Sequence, residues 1–213
     1  MKRREALKTT GLALGYSLSA GTVAAIMNGC KAPTETGWVP STVDQPTIEL
    51  IAEVAETILP ATDTPGAKDV LVHRFVDEIL GIAYGPKQKA HMMSGLSNLS
   101  KDLGDSFLKM SAEDKLNAVV ALEEAADKAD QEMWTKIRAE EAEKADEEPP
   151  RAGPMVQEEP DHFRHYYKEL KSLIMAGYFT SEQVGTEVLA YDPIPGGYDG
   201  CIDLADGQKA WAL

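Results

Sequence analysis

Apolar residues recur at helical spacing along most of the chain. Residues 47–59 place apolar side chains on one stripe and glutamates on the opposite face, which predicts an amphipathic helix that Pro60 ends. Residues 69–83 repeat the pattern and stop before Gly85-Pro86. The apolar stripe of this second helix consists of Val72, Phe75, Val76, Ile79 and Ile82. Weaker helical spacing continues over residues 87–108, interrupted by two glycines, Gly95 and Gly104.

The second half of the chain predicts further helices around an acidic segment. Ser111 followed by Asp114 resembles a capping box that opens a long helix. The apolar positions of this long helix are Leu116, Val119, Val120, Ala126, Met133, Trp134 and Ile137. Residues 140–160 are acidic with few apolar residues and are expected to form an exposed linker. Another amphipathic helix is predicted over residues 161–176, and Thr180 is expected to cap a short helix that ends at Ala190.

The pattern as a whole predicts an all-α fold. The sequence contains no alternating apolar and polar run of the kind that forms a half-buried strand. From Tyr191 onward the chain is rich in proline and glycine, which favours irregular coil. We therefore expect a single irregular helical domain over residues 47–213, with a Pro/Gly-rich C-terminal coil.

The N-terminal segment differs in character from the rest. Arg3-Arg4 precedes an uncharged run that ends at Cys30. This order predicts a twin-arginine export signal over residues 1–29, lipidation of Cys30, and a tether over residues 30–46. Two alternatives are an ordinary signal with an accidental arginine pair and an uncleaved membrane anchor, although glycines dilute the apolar run.

Charge and cysteine content limit the classes of partner. The chain has 35 acidic and 21 basic residues, a net charge of −14, which argues against nucleic-acid binding because phosphates require clustered Lys and Arg. No other long apolar run is present in the sequence, so the mature protein is expected to meet the membrane by its lipid alone. With Cys30 lipidated, Cys201 remains the single thiol and no internal disulfide can form.

Two blocks of sequence carry a resemblance to a known family. The first reads ETILPATDTPGA at residues 56–67 and continues as VHRFVD at 72–77. The second reads AGYFTSE at residues 176–182 and YDPIPGGYDGC at 191–201. With the arginine pair, these blocks resemble the gluconate 2-dehydrogenase subunit 3 family over roughly residues 47–83 and 165–203. The region over residues 86–160 carries no such resemblance.

The resemblance implies a non-catalytic small subunit of a periplasmic, membrane-associated sugar or polyol dehydrogenase complex. In such complexes a large flavoprotein of the glucose-methanol-choline type holds FAD and oxidises the substrate, and a haem c subunit accepts the electrons. The small subunit supplies the export signal for the twin-arginine translocase and stabilises the flavoprotein. The sequence itself has no dinucleotide-binding glycine motif after a strand and no Cys-x-x-Cys-His haem motif, so no cofactor is expected in this chain.

The candidate site residues are therefore export, lipidation and contact residues. Besides Arg3, Arg4 and Cys30, the expected partner contacts are His73, Arg74, Tyr191, Pro195, Tyr198 and Cys201. Arg74 and Asp77 are interpreted either as a solvated face or as part of this docking surface. Cys201 is either packed or disulfide-bridged against a partner, or is a buried free thiol.

Two further interpretations remain open in the sequence. Glu159, Asp161, His162 and His165 cluster at a predicted helix start, where Asp161 and His165 would share one face, but acidic residues are favoured at helix N-termini without any metal. The chain could also be a stand-alone periplasmic lipoprotein, an enzyme or a binding protein with its site in the unmatched middle. Tyr178 and Phe179 in the second block are expected to belong to the core.

Overall fold

The helices of the computed structural model follow the apolar stripes of the sequence. The structure describes residues 37–104, 106–145, 162–192, 194, 196–197, 201, 203 and 206–212. The α-helices of this described part are α1 (Gln45–Ile58), α2 (Val72–Ile82), α3 (Pro86–Leu96), α4 (Leu99–Leu103), α5 (Ala112–Ala145) and α6 (Tyr166–Phe179). A 3₁₀ turn spans Phe107–Lys109, and a π-helical turn spans Val184–Val188.

Helix α6 lies at the centre of the packing. It makes its most extensive contact with α2 and also packs against α3 and α5, while α1 packs against α2 and α5. The largest fully buried side chains come from α1, α2, α3, α4, α6 and the 3₁₀ turn: Ile51, Val54, Val72, Val76, Leu80, Met92, Leu96, Leu99, Phe107, Tyr167, Leu170 and Ile174. These elements belong to one compact unit that begins at Val39, and the all-α prediction is confirmed.

Helix α2 begins three residues later than the periodicity predicts. Residues 67–71 form a separate turn, in which the Val72 N–H donates to the Ala67 carbonyl at 3.1 Å. Leu71 has a left-handed backbone with φ of 56°, which an L-residue with a bulky side chain adopts only when its surroundings enforce it. At the other end Ile82 is 82% exposed, so the last position of the predicted stripe is not part of the core.

The weak stretch over residues 87–108 consists of three short elements. Gly104, with φ of 91°, follows α4 and turns the chain toward the 3₁₀ turn. Gly95, in contrast, lies inside α3 and does not interrupt it. A Cβ at Gly95 would collide with the ring of Tyr166, so the missing side chain allows α6 to approach α3.

The long helix α5 is capped as predicted but extends further than predicted. The Ser111 hydroxyl accepts the Asp114 N–H at 3.2 Å and donates to the Asp114 carboxylate at 2.7 Å. The helix continues to Ala145, so residues 140–145, which were expected in the linker, are helical. The rest of that predicted linker, residues 146–160, lies outside the described residues.

Several apolar positions of α5 do not reach the core. Val119, Leu122, Ala126 and Ile137 are buried, but Leu116, Val120 and Trp134 are between 43% and 50% exposed. At 34 residues, α5 is about 50 Å long, so much of its surface faces solvent.

The start of α6 and the turn after it differ from the sequence prediction. Residues 162–165 are not helical, and the His165 ring caps α6 by accepting the Tyr167 N–H at its Nδ1, at 3.3 Å. The expected capping role of Thr180 is wrong, because its hydroxyl donates back to the Ala176 carbonyl at 2.6 Å. The neighbouring Ser181 hydroxyl accepts the Val184 N–H instead, at 3.4 Å.

The C-terminal coil contains one extended pairing. Ala190 and Trp211 form an isolated parallel bridge. The Ala190 N–H donates to the Ala210 carbonyl at 2.8 Å, and the Ala212 N–H donates to the Ala190 carbonyl at 2.9 Å. In the part of the chain that the structure describes, no helix has both the length and the apolarity needed to cross a membrane.

Asp77 is buried in the fold. The interpretation of the sequence that placed it on a solvated face is wrong. Its side chain is 1% exposed, and its carboxylate accepts the N–H groups of Ser41, Thr42 and Val43 at 2.8 to 3.0 Å. The Ser41 hydroxyl donates to the same carboxylate at 3.0 Å. Burial alone would raise the pKa of Asp77, but these donors lower it below its ordinary value, so the buried group is an anion.

The Asp77→Asn variant tests this interaction through the pH dependence of stability. An amide has no charge, and its NH2 group would face backbone N–H groups that also donate. We therefore expect the free energy of unfolding at pH 7 to fall by about 2–3 kcal/mol. Because the folded pKa is depressed, this stabilisation is complete above the unfolded pKa of about 4 and is lost as the pH falls through the folded value.

The difference between wild type and Asp77→Asn should therefore shrink between pH 5 and about pH 2, measured by urea unfolding at several pH values. An equal deficit at every pH would show that the carboxylate charge contributes nothing.

Candidate partner-binding surface

The two blocks of the suspected family motif lie against each other in space. The first block contributes the end of α1 and the loop over residues 59–71, which we call the Glu56 loop. The second contributes the C-terminal end of α6. A surface shared by both blocks is a natural candidate for recognition, and several side chains join the blocks.

Glu56 organises the loop that follows α1. Its Oε1 accepts the Ala61 N–H at 3.0 Å, and its Oε2 accepts the Lys68 N–H at 2.9 Å. One carboxylate therefore satisfies backbone donors at the beginning and at the end of the loop. The helix before the loop and the turn before α2 are consequently held at a fixed separation.

Gly66 is required by this arrangement. A Cβ at this position would lie 2.5 Å from Glu56 Oε1 and 2.7 Å from the Ala61 nitrogen, closer than real Cβ atoms approach. The Gly66 N–H donates to the Asp69 carboxylate at 2.8 Å. The glycine thus allows the carboxylate and the backbone to pack closely, and its φ is not the reason for its presence.

The end of α6 completes the contact between the blocks. The Tyr178 hydroxyl donates to the Pro65 carbonyl at 2.8 Å. A Cβ at Gly177 would lie 2.7 Å from the ring of Phe75, so this glycine lets α2 and α6 approach closely. Tyr178 is 6% exposed and belongs to the core, as the sequence suggested, and it meets the ring of Phe179 edge-on at 5.2 Å.

The expected contact residues occupy different environments. His73 is 4% exposed, and Arg74 is half-buried. Tyr191 and Cys201 are exposed. Residues Arg3, Arg4, Cys30, Pro195 and Tyr198 lie outside the described residues. Of the six expected partner contacts, the structure therefore places Tyr191 and Cys201 at the surface and His73 in the interior.

The C-terminal segment exposes large apolar side chains. Tyr191 and Trp211 are both 59% exposed, and Ile194 is 83% exposed. The bridge between Ala190 and Trp211 brings two distant parts of the segment together. Lys209 adds a second link, since its ammonium donates to the Glu187 carbonyl at 2.8 Å. Exposed aromatic groups on a tethered segment are typical of interaction surfaces.

A groove of about 350 Å³ lies between α1 and α5, beside the Glu56 loop. Its lining residues are Glu53, Glu56, Thr57, Pro60, Ala112, Lys115 and Leu116. Glu53 binds both Lys68 and Lys115, the latter at 2.6 Å. Helical periodicity assigned Leu116 to the core, so the sequence did not predict this groove.

His165, which directly precedes α6, has a structural contact. Burial lowers the pKa of His165, which keeps its ring neutral and able to accept the Tyr167 N–H. The proposed pairing of Asp161 with His165 on one helical face is wrong, because α6 begins only at Tyr166. Asp161 and Glu159 lie outside the described residues, within which no group of three His, Cys, Asp or Glu side chains is placed to hold a metal ion.

The Gly66→Ala variant tests the geometry of the Glu56 loop. The added methyl group overlaps the Glu56 carboxylate and the backbone, so the free energy of unfolding should fall by about 1–3 kcal/mol. Gly185→Ala is the matched control, because a Cβ there meets nothing within 4 Å. In a Glu56→Ala background the cost of Gly66→Ala should be smaller. Equal effects of the two glycine variants would contradict this account.

Comparison with known families matches residues 45–196 to Gluconate 2-dehydrogenase subunit 3. The matched range contains the helices α1 to α6, the Glu56 loop and the contact of that loop with Tyr178. No curated protein and no solved structure shows significant similarity to the chain. The match covers most of the 213 residues, with the whole first block and the second block up to Gly196, so the chain belongs to the gluconate 2-dehydrogenase subunit 3 family.

Proposed function

We propose that this chain is the non-catalytic small subunit of a membrane-associated, FAD-dependent sugar or polyol dehydrogenase complex. The observation that supports this most is the family match over residues 45–196, which spans the first block, the second block up to Gly196 and the contact between Tyr178 and the Glu56 loop. A dehydrogenase subunit family implies a dehydrogenase partner. In this proposal the partner is a flavoprotein of the glucose-methanol-choline type, and a haem c subunit accepts its electrons.

The use of the polar groups in the fold agrees with a non-catalytic role. The carboxylates of Glu56, Asp69 and Asp77 are each bound to backbone N–H groups. Glu53 is bound to two lysines. Such groups fix loops and helix ends, which is a structural use of their charge. The chemistry is accordingly assigned to the flavoprotein.

The export and anchoring roles rest on the sequence. Arg3-Arg4 would direct the chain to the twin-arginine translocase, which moves proteins that have already folded. A flavoprotein that assembles with this chain in the cytoplasm could then cross on the same signal. A lipid on Cys30 would hold the complex at the periplasmic face of a bacterial membrane.

The Arg3→Lys/Arg4→Lys double variant tests export of the pre-assembled complex. We expect both this chain and the co-expressed flavoprotein to stay in the cytoplasm, because one signal serves both proteins. Lys8→Arg, which leaves the pair intact, is the control. The measurement is dehydrogenase activity and immunodetection in separated periplasmic and cytoplasmic fractions. Normal periplasmic activity in the double variant, or oxidation of sugars by the purified chain alone, would contradict the proposal.

The C-terminal segment is proposed as one contact with the flavoprotein. Its exposed Tyr191, Ile194 and Trp211 supply the aromatic and aliphatic anchors that dominate protein interfaces. Cys201 lies in the same exposed segment, where it is either packed against the partner or bridged to a partner cysteine. A bridge requires the two Cα atoms to lie within about 7 Å.

Trp211→Ala tests this contact without removing the backbone bridge to Ala190. We expect co-purification of the flavoprotein to fall about tenfold, since a half-exposed aromatic anchor is lost. Val39→Ala, which shortens another exposed side chain, is the control. Cys201→Ser should remove any higher-mass band on non-reducing gels. Unchanged co-purification after deletion of residues 191–213 would exclude a docking role for the segment.

A further inference from the structure

The groove between α1 and α5 has an apolar floor that the fold does not use. Pro60, Ala112 and Leu116 line it, and Leu116 is 50% exposed. Val120 follows one helical turn after Leu116 on the same side of α5 and is 45% exposed. The stripe that α5 buries against the rest of the fold lies beside this pair and contains Val119 and Leu122. The apolar floor thus continues along α5 beyond the groove itself.

The rim of the groove is acidic. Burial alone would raise the pKa of Glu53, but Lys115 and Lys68 lower it below its ordinary value, so Glu53 is an anion bound to both lysines. Glu49, one turn before Glu53 on α1, and Glu113, beside Ala112 on α5, are exposed. The two ammonium groups nearest the groove are therefore already engaged. Glu49 and Glu113 do not line the groove, but each is close to a lining residue on its own helix, so the two carboxylates add negative charge at the rim.

An apolar floor with an acidic rim selects the chemistry of its occupant. A basic rim on the partner lowers the free energy of association, while the apolar contact supplies the buried area. A second copy of this chain is disfavoured, because each copy carries a net charge of −14 and would present the same acidic rim. An anionic lipid surface is disfavoured for the same electrostatic reason.

We propose that this groove is a second docking site, which receives an apolar side chain flanked by Lys or Arg from the dehydrogenase large subunit. The inference rests on the proposed function and adds a second contact to it. The residues that line the groove lie within the matched residues 45–196, whereas Trp211 lies outside that range. The groove is therefore a contact that can belong to the family as a whole.

The double variant Leu116→Ser/Val120→Ser tests the site in the full-length chain co-expressed with the flavoprotein. Both side chains are about half exposed, so the variant is expected to fold, and its unfolding curve verifies this. We expect the dissociation constant for the flavoprotein to rise at least tenfold. A second variant, Glu113→Lys, should slow association at low salt and have little effect at high salt.

Ile82→Ser is the matched control, because Ile82 is 82% exposed and lies toward the other end of α1. A Cβ at the neighbouring Gly81 would lie 2.7 Å from Thr42 Oγ1, just before the start of α1. Binding as tight as wild type in Leu116→Ser/Val120→Ser, or an equal loss in Ile82→Ser, overturns the docking site and leaves the proposed function intact.

Two other outcomes are distinguishable. A wild-type chain that does not bind the flavoprotein at all contradicts the proposed function, and the docking site with it. A dimer of the isolated chain that the double variant abolishes, measured by sedimentation, assigns the groove to a second copy and also overturns the inference.

Discussion

The placement of α1, α2 and α6 depends on how the Glu56 carboxylate is satisfied. Because it accepts N–H groups from both ends of its loop, the loop can fold only if Gly66 leaves room for the carboxylate. The folded loop then presents the Pro65 carbonyl to Tyr178 at the end of α6. A single, partly exposed carboxylate therefore couples three helices, two of which are distant in sequence from the third. This coupling gives a physical reason for the residues of the first block and for their spacing.

The helices were predictable from the sequence, but their long-range polar contacts were not. Periodicity located α1 to within two residues at its start, because apolar positions repeat every three or four residues there. The same reasoning left Asp77 either on a solvated face or in a docking surface, since a carboxylate is seldom fully buried. Its burial depends on N–H groups of Ser41, Thr42 and Val43, more than thirty residues earlier, and local patterns contain no information about them.

Helix α5 and the C-terminal segment show two other limits of prediction. Glutamate, lysine and alanine are good helix formers, so the accumulation of charge after Ile137 did not end the helix. Periodicity located Leu116 and Val120 on an apolar side of α5, but it does not reveal whether another element covers that side. The exposed floor of the groove was therefore missed. The bridge between Ala190 and Trp211 was also missed, because neither residue lies in an alternating strand pattern.

The anchoring of Ser41 to Val43 on Asp77 has a consequence for distance from a membrane. Ten residues lie between Cys30 and Ser41, and the eleven peptide steps span at most about 40 Å when fully extended. With the proposed lipid on Cys30, the backbone of Ser41 could therefore stand no further than that from the lipid headgroups. The Asp77 carboxylate would then fix the far end of this tether on α2. Lengthening the sequence between Cys30 and Ser41 would raise this upper limit on the distance, and shortening it would lower it.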